Sequence, residues 1–177
     1  MTVIIDGTAG ITFPDTSVQA VNATNASNIS SGTLGKARLP TGSVLQVVSA
    51  SLSSNVSTSS ASYVTTGLTA SITPSSSSSK VLVIVNTGAY DSDTANNSIL
   101  VALYKNGNEI ISPASVGFVA YTFSSGNRRG NNSLNYLDSP ATTSATTYAI
   151  YNKRDGTGLV FFNNSGVANI TLMEIAA

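Results

Sequence analysis

Residues 80–85 read KVLVIV, and this run decides the fold. Six residues are too few for a stable helix, and β-branched side chains dominate them, which favours an extended backbone. Val81, Val83 and Val85 share one face of such a strand, and Leu82 and Ile84 share the other. Both faces are therefore apolar. Residues 99–103, ILVAL, repeat the pattern, with Leu100 and Ala102 opposite Ile99, Val101 and Leu103. Phe161 and Phe162 likewise face opposite ways. A strand in an antiparallel sheet normally shows one polar face to water. A second subunit is the simple cover for the other face; loops or the N-terminal segment are the alternative. Burying one Val or Leu side chain contributes roughly 1.5–3 kcal/mol. Several of them outweigh a rigid-body association cost of roughly 4–15 kcal/mol. Val81, Val83, Val85, Leu100, Phe161 and Phe162 are thus expected in a core or an oligomer interface.

Working outward, further short apolar runs fall at 43–52, 63–74, 98–111, 116–123, 133–138, 146–153, 159–164 and 169–175. Asn106-Gly107 within YKNGNE marks a type I′ hairpin turn, and Asp155-Gly156 with Gly158, and residues 164–166, mark later turns. The segment SNVSTSSAS, 54–62, reads as a polar link. Five serines at 75–79 read as a loop inside the domain rather than a linker. No helical pattern of useful length interrupts the strands. The class is all-β, an antiparallel β-sandwich or jelly roll occupying residues 43–177. Residues 1–42 read as an extended N-terminal arm. TVIID and GTAGITFPD supply short strands, and a weak helix over 17–26 is compatible with Val18 and Val21 on one face, although its Asn and Thr content opposes it.

Composition narrows the function classes. Among 177 residues there is no Cys and no His, charged residues are 9 %, and the net charge is zero. Disulfides, thiolate sites and histidine proton shuttles are excluded. Eight basic residues spread along the chain do not make a phosphate-tracking surface, so nucleic acid is not an expected partner. No window approaches the roughly 18 apolar residues of a membrane-spanning helix, so no membrane insertion is expected. The start, MTVIIDGTAG, lacks the basic and apolar parts of a secretory leader.

Chemistry has few carriers. Asp91 and Asp93 are the only close carboxylate pair, in YDSDTANNS, which reads as a surface loop ill-suited to raising a carboxylate pKa. The Ser77-x-x-Lys80 spacing sits in the serine run before a strand, not at a helix start. Asp91, Asp93, Asn96 and Asn97 offer oxygen ligands, but Asn96 stands where a calcium-binding EF-hand needs Gly, and Ala102 where it needs Glu. No catalytic group, metal or cofactor is expected. Three polar segments remain as a candidate binding tip: Asp91, Asp93, Asn96 and Asn97; Arg128, Arg129 and Asn131 in GNRRGNN; and Lys153, Arg154 and Asp155 before Gly156, read as a charged hairpin turn. Arginine forks suit carboxylates or sugar hydroxyls. Of Tyr136, Tyr148 and Tyr151, one or two read as core or interface residues. An exposed carbohydrate-stacking platform is the alternative.

Several of these pieces occur in an order that resembles small tail-fibre or appendage proteins of tailed bacteriophages, especially those of marine and cyanobacterial hosts. They are GITFPDTSVQ (10–19), SSGTLGKARLPTGSVLQVV (30–48), YVTTGLTASITPSSSSSKVLVIV (63–85), ALYKNGNEI (102–110), YLDSPATTSATTYAIY (136–151) and NITLMEI (169–175). The resemblance implies a trimeric jelly-roll head of the complement-like or tumour-necrosis-like type, without enzymatic activity. It implies a homotrimer made in the host cytoplasm and carried on the virion. Residues 1–42 would bind other virion proteins, and the head would attach to a glycan or protein of the host surface. Larger fibre proteins carry long shafts, which this chain lacks. That leaves open a capsid, neck or fibre-connector decoration, and a polysaccharide-binding or depolymerising module.

Overall fold

The computed structural model describes residues 4–6, 10–12, 18–19, 35–112, 120–123 and 130–177, with only the strand course given for 4–6, 10–12, 18–19 and 120–123. The chain divides into two compact units, Met1–Leu39 and Pro40–Ala177. In the first, β1 (Ile4–Asp6), β2 (Gly10–Thr12) and β3 (Val18–Gln19) form an antiparallel sheet in that order. Val18 and Gln19 are therefore extended and not in the weak helix that their spacing allowed over 17–26 and the Asn and Thr content opposed. Their pairing with Thr12 and Ile11 supplies hydrogen bonds that a helix poor in strong formers would not. A 3-10 turn, Lys36–Arg38, follows.

The second unit is all-β. Its strands are β4 (Val44–Leu52), β5 (Val56–Thr58), β6 (Val64–Ile72), β7 (Lys80–Ser92), β8 (Asn97–Lys105), β9 (Asn108–Ile111), β10 (Ala120–Phe123), β11 (Gly130–Asp138), β12 (Thr146–Asp155), β13 (Val160–Phe162) and β14 (Ala168–Ile175). They make two antiparallel sheets. β4, β5, β7, β11, β13 and β14 form the first, and β6, β8, β9, β10 and β12 form the second. The β8–β9 turn is the expected one, with Asn106 and Gly107 at φ 49 and 80.

Register reduces these strands to eight runs. β14 and β13 both run antiparallel to β7, at Lys80 to Asn86 and at Asp91 to Ser92, and β4 and β5 accompany them in the same way. β9 and β10 both lie on the β8 edge opposite β12. The first sheet is then β4/β5, β14/β13, β7, β11, and the second is β9/β10, β8, β12, β6. Every connection between runs crosses from sheet to sheet except the β8–β9 hairpin. The serine run 75–79 is one such crossing, from β6 to β7.

Three of the four runs of the first sheet are broken or bulged at one level, and β11 passes it as one continuous strand. β4 and β5 part at 53–55, β13 and β14 at 163–167, and β7 shifts register against β11 between Asn86 and Ala89. Thr87 repairs the last break: its Oγ1 donates to Asn132 O at 2.9 Å and accepts from Asn132 N at 3.1 Å. Asn163 fills the step. Its Nδ2 donates to Leu52 O at 2.8 Å and Ser54 O at 3.2 Å, and its side chain lies directly against Gly88.

One apolar cluster lies between the sheets. Val81, Val83, Val85, Ile170 and Leu172 come from the first, and Leu68, Ile72, Val101, Leu103 and Ile150 from the second. Two buried carboxylates hold its margin. Asp138 of β11 accepts from Tyr148 Oη of β12 at 2.6 Å and from Lys105 Nζ of β8 at 2.9 Å, so it links the sheets. Glu174 of β14 is fully buried and accepts from Gln46 Nε2 at 2.6 Å, Ser75 N at 2.7 Å and Ser75 Oγ at 2.6 Å. Burial alone would raise the Glu174 pKa; the bonds from Ser75 and Gln46 outweigh it and bring the carboxyl from 4.5 to about 2.

Because the folded pKa lies below its ordinary value, the stability Glu174 contributes is complete above about pH 4.5 and is lost as pH falls toward about 2. Thermal unfolding should show a falling Tm across that window. Glu174→Gln should lower Tm at pH 7 and flatten the acid limb, whereas an acid limb unchanged in the variant would refute the role. At the step in the first sheet, a Cβ on Gly88 (φ +64) would sit 2.2 Å from Asn163 Oδ1. Gly88→Ala should cost at least about 1–2 kcal/mol in denaturant unfolding, from the left-handed backbone alone.

Candidate functional site

Of the three segments expected at a tip, the first lies against the chain that follows the third. The β7–β8 connection, residues 93–96, packs on the β12–β13 connection, residues 156–159. Asp93 Oδ1 accepts from Leu159 N and from Thr94 Oγ1, both at 2.8 Å, and these bonds hold its carboxyl below the usual range. Gly158, at φ +82, permits the approach, since a Cβ there would lie 2.2 Å from Thr94 Oγ1. Asn96 is exposed in the left-handed region, at φ 57.

Other tip residues sit differently from the sequence expectation. Asp91 is not in a surface loop: it lies in β7, is 6 % exposed, and accepts from Asn164 Nδ2 at 2.7 Å. Asn97 opens β8, is fully buried, and donates to Ser92 Oγ at 3.1 Å. Lys153, Arg154 and Asp155 are not a hairpin turn but the end of β12, and the chain after them crosses to the other sheet. They continue the ladder because Arg154, Lys153 and Asp155 pair with Ile99, Leu100 and Ser98. Arg154 is further tied to the chain before β6, through its N to Ser60 O at 2.9 Å and its Nε to Ser59 O. Asn131 is an exposed strand residue of β11 beside a shallow depression shared with Ala89, Gly130 and Ser165. Arg128 and Arg129 lie outside the described residues.

The polar link expected at 54–62 contains β5, because Val56 to Thr58 complete the ladder beside β13. Val81, Val83, Val85 and Phe162 are core residues, Phe162 against Tyr90 with ring centroids 5.9 Å apart. Leu100 and Phe161 are half-buried. Leu82 and Ile84 lie half-buried on the outer face of the first sheet. There Leu82 joins Val47, Met173 and Leu137 in a row across all four runs. Val47 is 54 % exposed and Leu137 50 %. Ile84, Ile175 and Val44 extend the patch.

The outer face of the second sheet carries a tyrosine cluster. Tyr104 of β8 and Tyr151 of β12 stack with centroids 4.0 Å apart and planes at 21°. Tyr63, before β6, meets Tyr104 edge to face at 6.2 Å. Lys153 Nζ lies 4.6 Å over the Tyr63 ring, a cation–π contact. Glu109 pairs with Tyr104 across the hairpin, its carboxylate 3.4 Å from the Tyr104 hydroxyl. All three rings are half-buried. Burial first and the Glu109 charge second push the Tyr63 phenol up to about 12, and they raise Tyr104 as well. Tyr148, by contrast, is a core residue bonded to Asp138, and Tyr136 packs partly buried against the core.

Sequence reading singled out Tyr151 and Lys153 but not Tyr63, Tyr104 or Glu109. The Asn106-Gly107 turn, once accepted, sets Glu109 opposite Tyr104. Bringing Tyr63 and Tyr151 together needs the β6–β12 register, which nothing local specifies. The chain matches no model of a known protein family and no curated protein.

Ultraviolet titration should find Tyr63 ionising near pH 12, well above an ordinary tyrosine at about 10. Tyr63→Phe should remove that step, and Glu109→Gln should move it to lower pH. A single step near 10 for all tyrosines would contradict the cluster.

Proposed function

We propose that the chain is a virion appendage subunit: a jelly-roll head that associates as a homotrimer, is mounted through residues 1–42, and attaches to a glycan or protein of a host surface. The observation that carries this reading is the outer face of the first sheet. Val47, Met173, Leu82 and Leu137 cross it without a break, and Lys80 is the only charged residue among their outward neighbours on these strands. Exposed apolar patches of this kind mark association sites. A face so poor in charge can be covered by neighbouring copies of the chain without stranding an ion.

Strand order supports the jelly-roll part. Two four-run sheets linked almost wholly by crossings between them are what two interleaved Greek keys produce. The number three and the virion come from the resemblance of the sequence to phage appendage proteins. The attachment part draws on the second sheet, whose outer face carries aromatic and charged groups suited to recognition.

Light scattering during gel filtration of the full chain tests the association. Three chains of 18.0 kDa, about 54 kDa, are expected. Leu137→Asp, at a half-exposed site, should give single chains with little change in Tm. A wild-type protein that stays monomeric at every concentration would overturn the proposal. A trimer that binds no host cell would keep the appendage and remove the attachment.

A further inference from the structure

We infer that the outer face of the second sheet, at Tyr63, Tyr104 and Tyr151 with Lys153 and Glu109, is a saccharide-binding site; its biological occupant rests on the attachment reading above. The three phenols come from separate segments, and Tyr63 and Tyr151 both touch Tyr104, at 6.2 and 4.0 Å between centroids. A surface held ready in this way loses little entropy on binding, and tyrosine presents wide contact area with few rotatable bonds. Their half-buried rings give an apolar body with polar tips. A sugar matches that combination: its C–H face lies on aromatic surface while its hydroxyls both donate and accept.

The flanking charges fit the same ligand. The Lys153 ammonium over Tyr63 is a donor at one end, and the Glu109 carboxylate beside Tyr104 is an acceptor at the other. Around them the strands present hydroxyls, including Thr69 and the mutually bonded pair Ser71 and Thr147. Other ligand classes fit less well. A cationic ligand would meet Lys153 on the Tyr63 ring it needs. A nucleic acid would bring phosphates to Glu109 on a chain of zero net charge.

The chain has no Trp and seven Tyr, three of them on this face, so its intrinsic fluorescence is tyrosine emission to which this face contributes, and the Tyr104 and Tyr151 variants identify that share. The probes are bacterial lipopolysaccharide O-chains and capsular oligosaccharides, titrated into the full-length protein. At least one should saturate with a change in emission. Tyr104→Ala and Tyr151→Ala should weaken it about tenfold or more, with unchanged oligomeric mass. Tyr151→Phe should retain most of the affinity. If the alanine variants fail to fold, Lys153→Ala and Glu109→Gln carry the test, each expected to weaken binding several-fold. Absence of saturation by every probe, or affinity indifferent to these substitutions, overturns the site. Binding that is indifferent to them while host cells are still captured would leave the attachment reading standing and place the receptor contact elsewhere. Saccharide binding without host-cell capture would do the reverse.

Discussion

The first sheet depends on a step that three of its four runs share and that the fourth, β11, spans unbroken. A bulge bends the strand that carries it and leaves its extra residue without a ladder partner. Here the interruptions coincide. The Asn163 amide bonds to the carbonyls of Leu52 and Ser54, and the Thr87 hydroxyl stands in for a ladder partner of Asn132. The arrangement requires Gly88, because a side chain there would occupy the space of Asn163. Beyond the step, β5, β13 and the end of β7 continue as a separate paired segment. That segment carries Asp91, Ser92 and Phe162, on which the tip loops are built.

Crossing between sheets at nearly every connection creates a second demand. Loops that pass over the core margin bring polar backbone to its edge, and those groups need partners. Glu174 meets this for the serine run, accepting Ser75 twice while Gln46 holds it from β4. Asp138 instead joins β11 to β8 and β12 through the side chains of Lys105 and Tyr148. A carboxylate is expensive to bury alone. With these donors Glu174 fastens a crossing to a strand, so a run of five serines becomes a defined loop, and Asp138 fastens one sheet to the other.

The two outer faces then differ in kind. The first sheet turns an apolar row outward at the end away from the step and hydroxyl and amide side chains nearer to it. The second turns out stacked tyrosines between an ammonium and a carboxylate. The first suits association with another copy, and the second suits a ligand that has both an apolar face and hydrogen-bonding groups. The tip, by contrast, spends much of its polarity on itself: Asp91, Asp93, Asn97 and Arg154 all have partners within the fold.

The sequence by itself determined the all-β class, the Asn106-Gly107 hairpin, and the grouping of Val81, Val83 and Val85 on one strand face, because turn chemistry and period-two alternation are local; that this face is the inward one came from the packing. It also carried the sign of something further in Leu82 and Ile84, apolar on the face that water should have. Tertiary structure alone decided that these two join Val47, Met173 and Leu137, since the row draws on segments more than a hundred residues apart. It decided that Asp91 and Asn97 are buried and that Lys153 to Asp155 remain in a strand. Strand ends follow the reach of the neighbouring ladder, which the residues of one strand do not encode. The tyrosine cluster has the same origin: Tyr63, Tyr104 and Tyr151 share a face only through the pairing of β6, β12 and β8, and register between distant strands is set by the packing of the whole core.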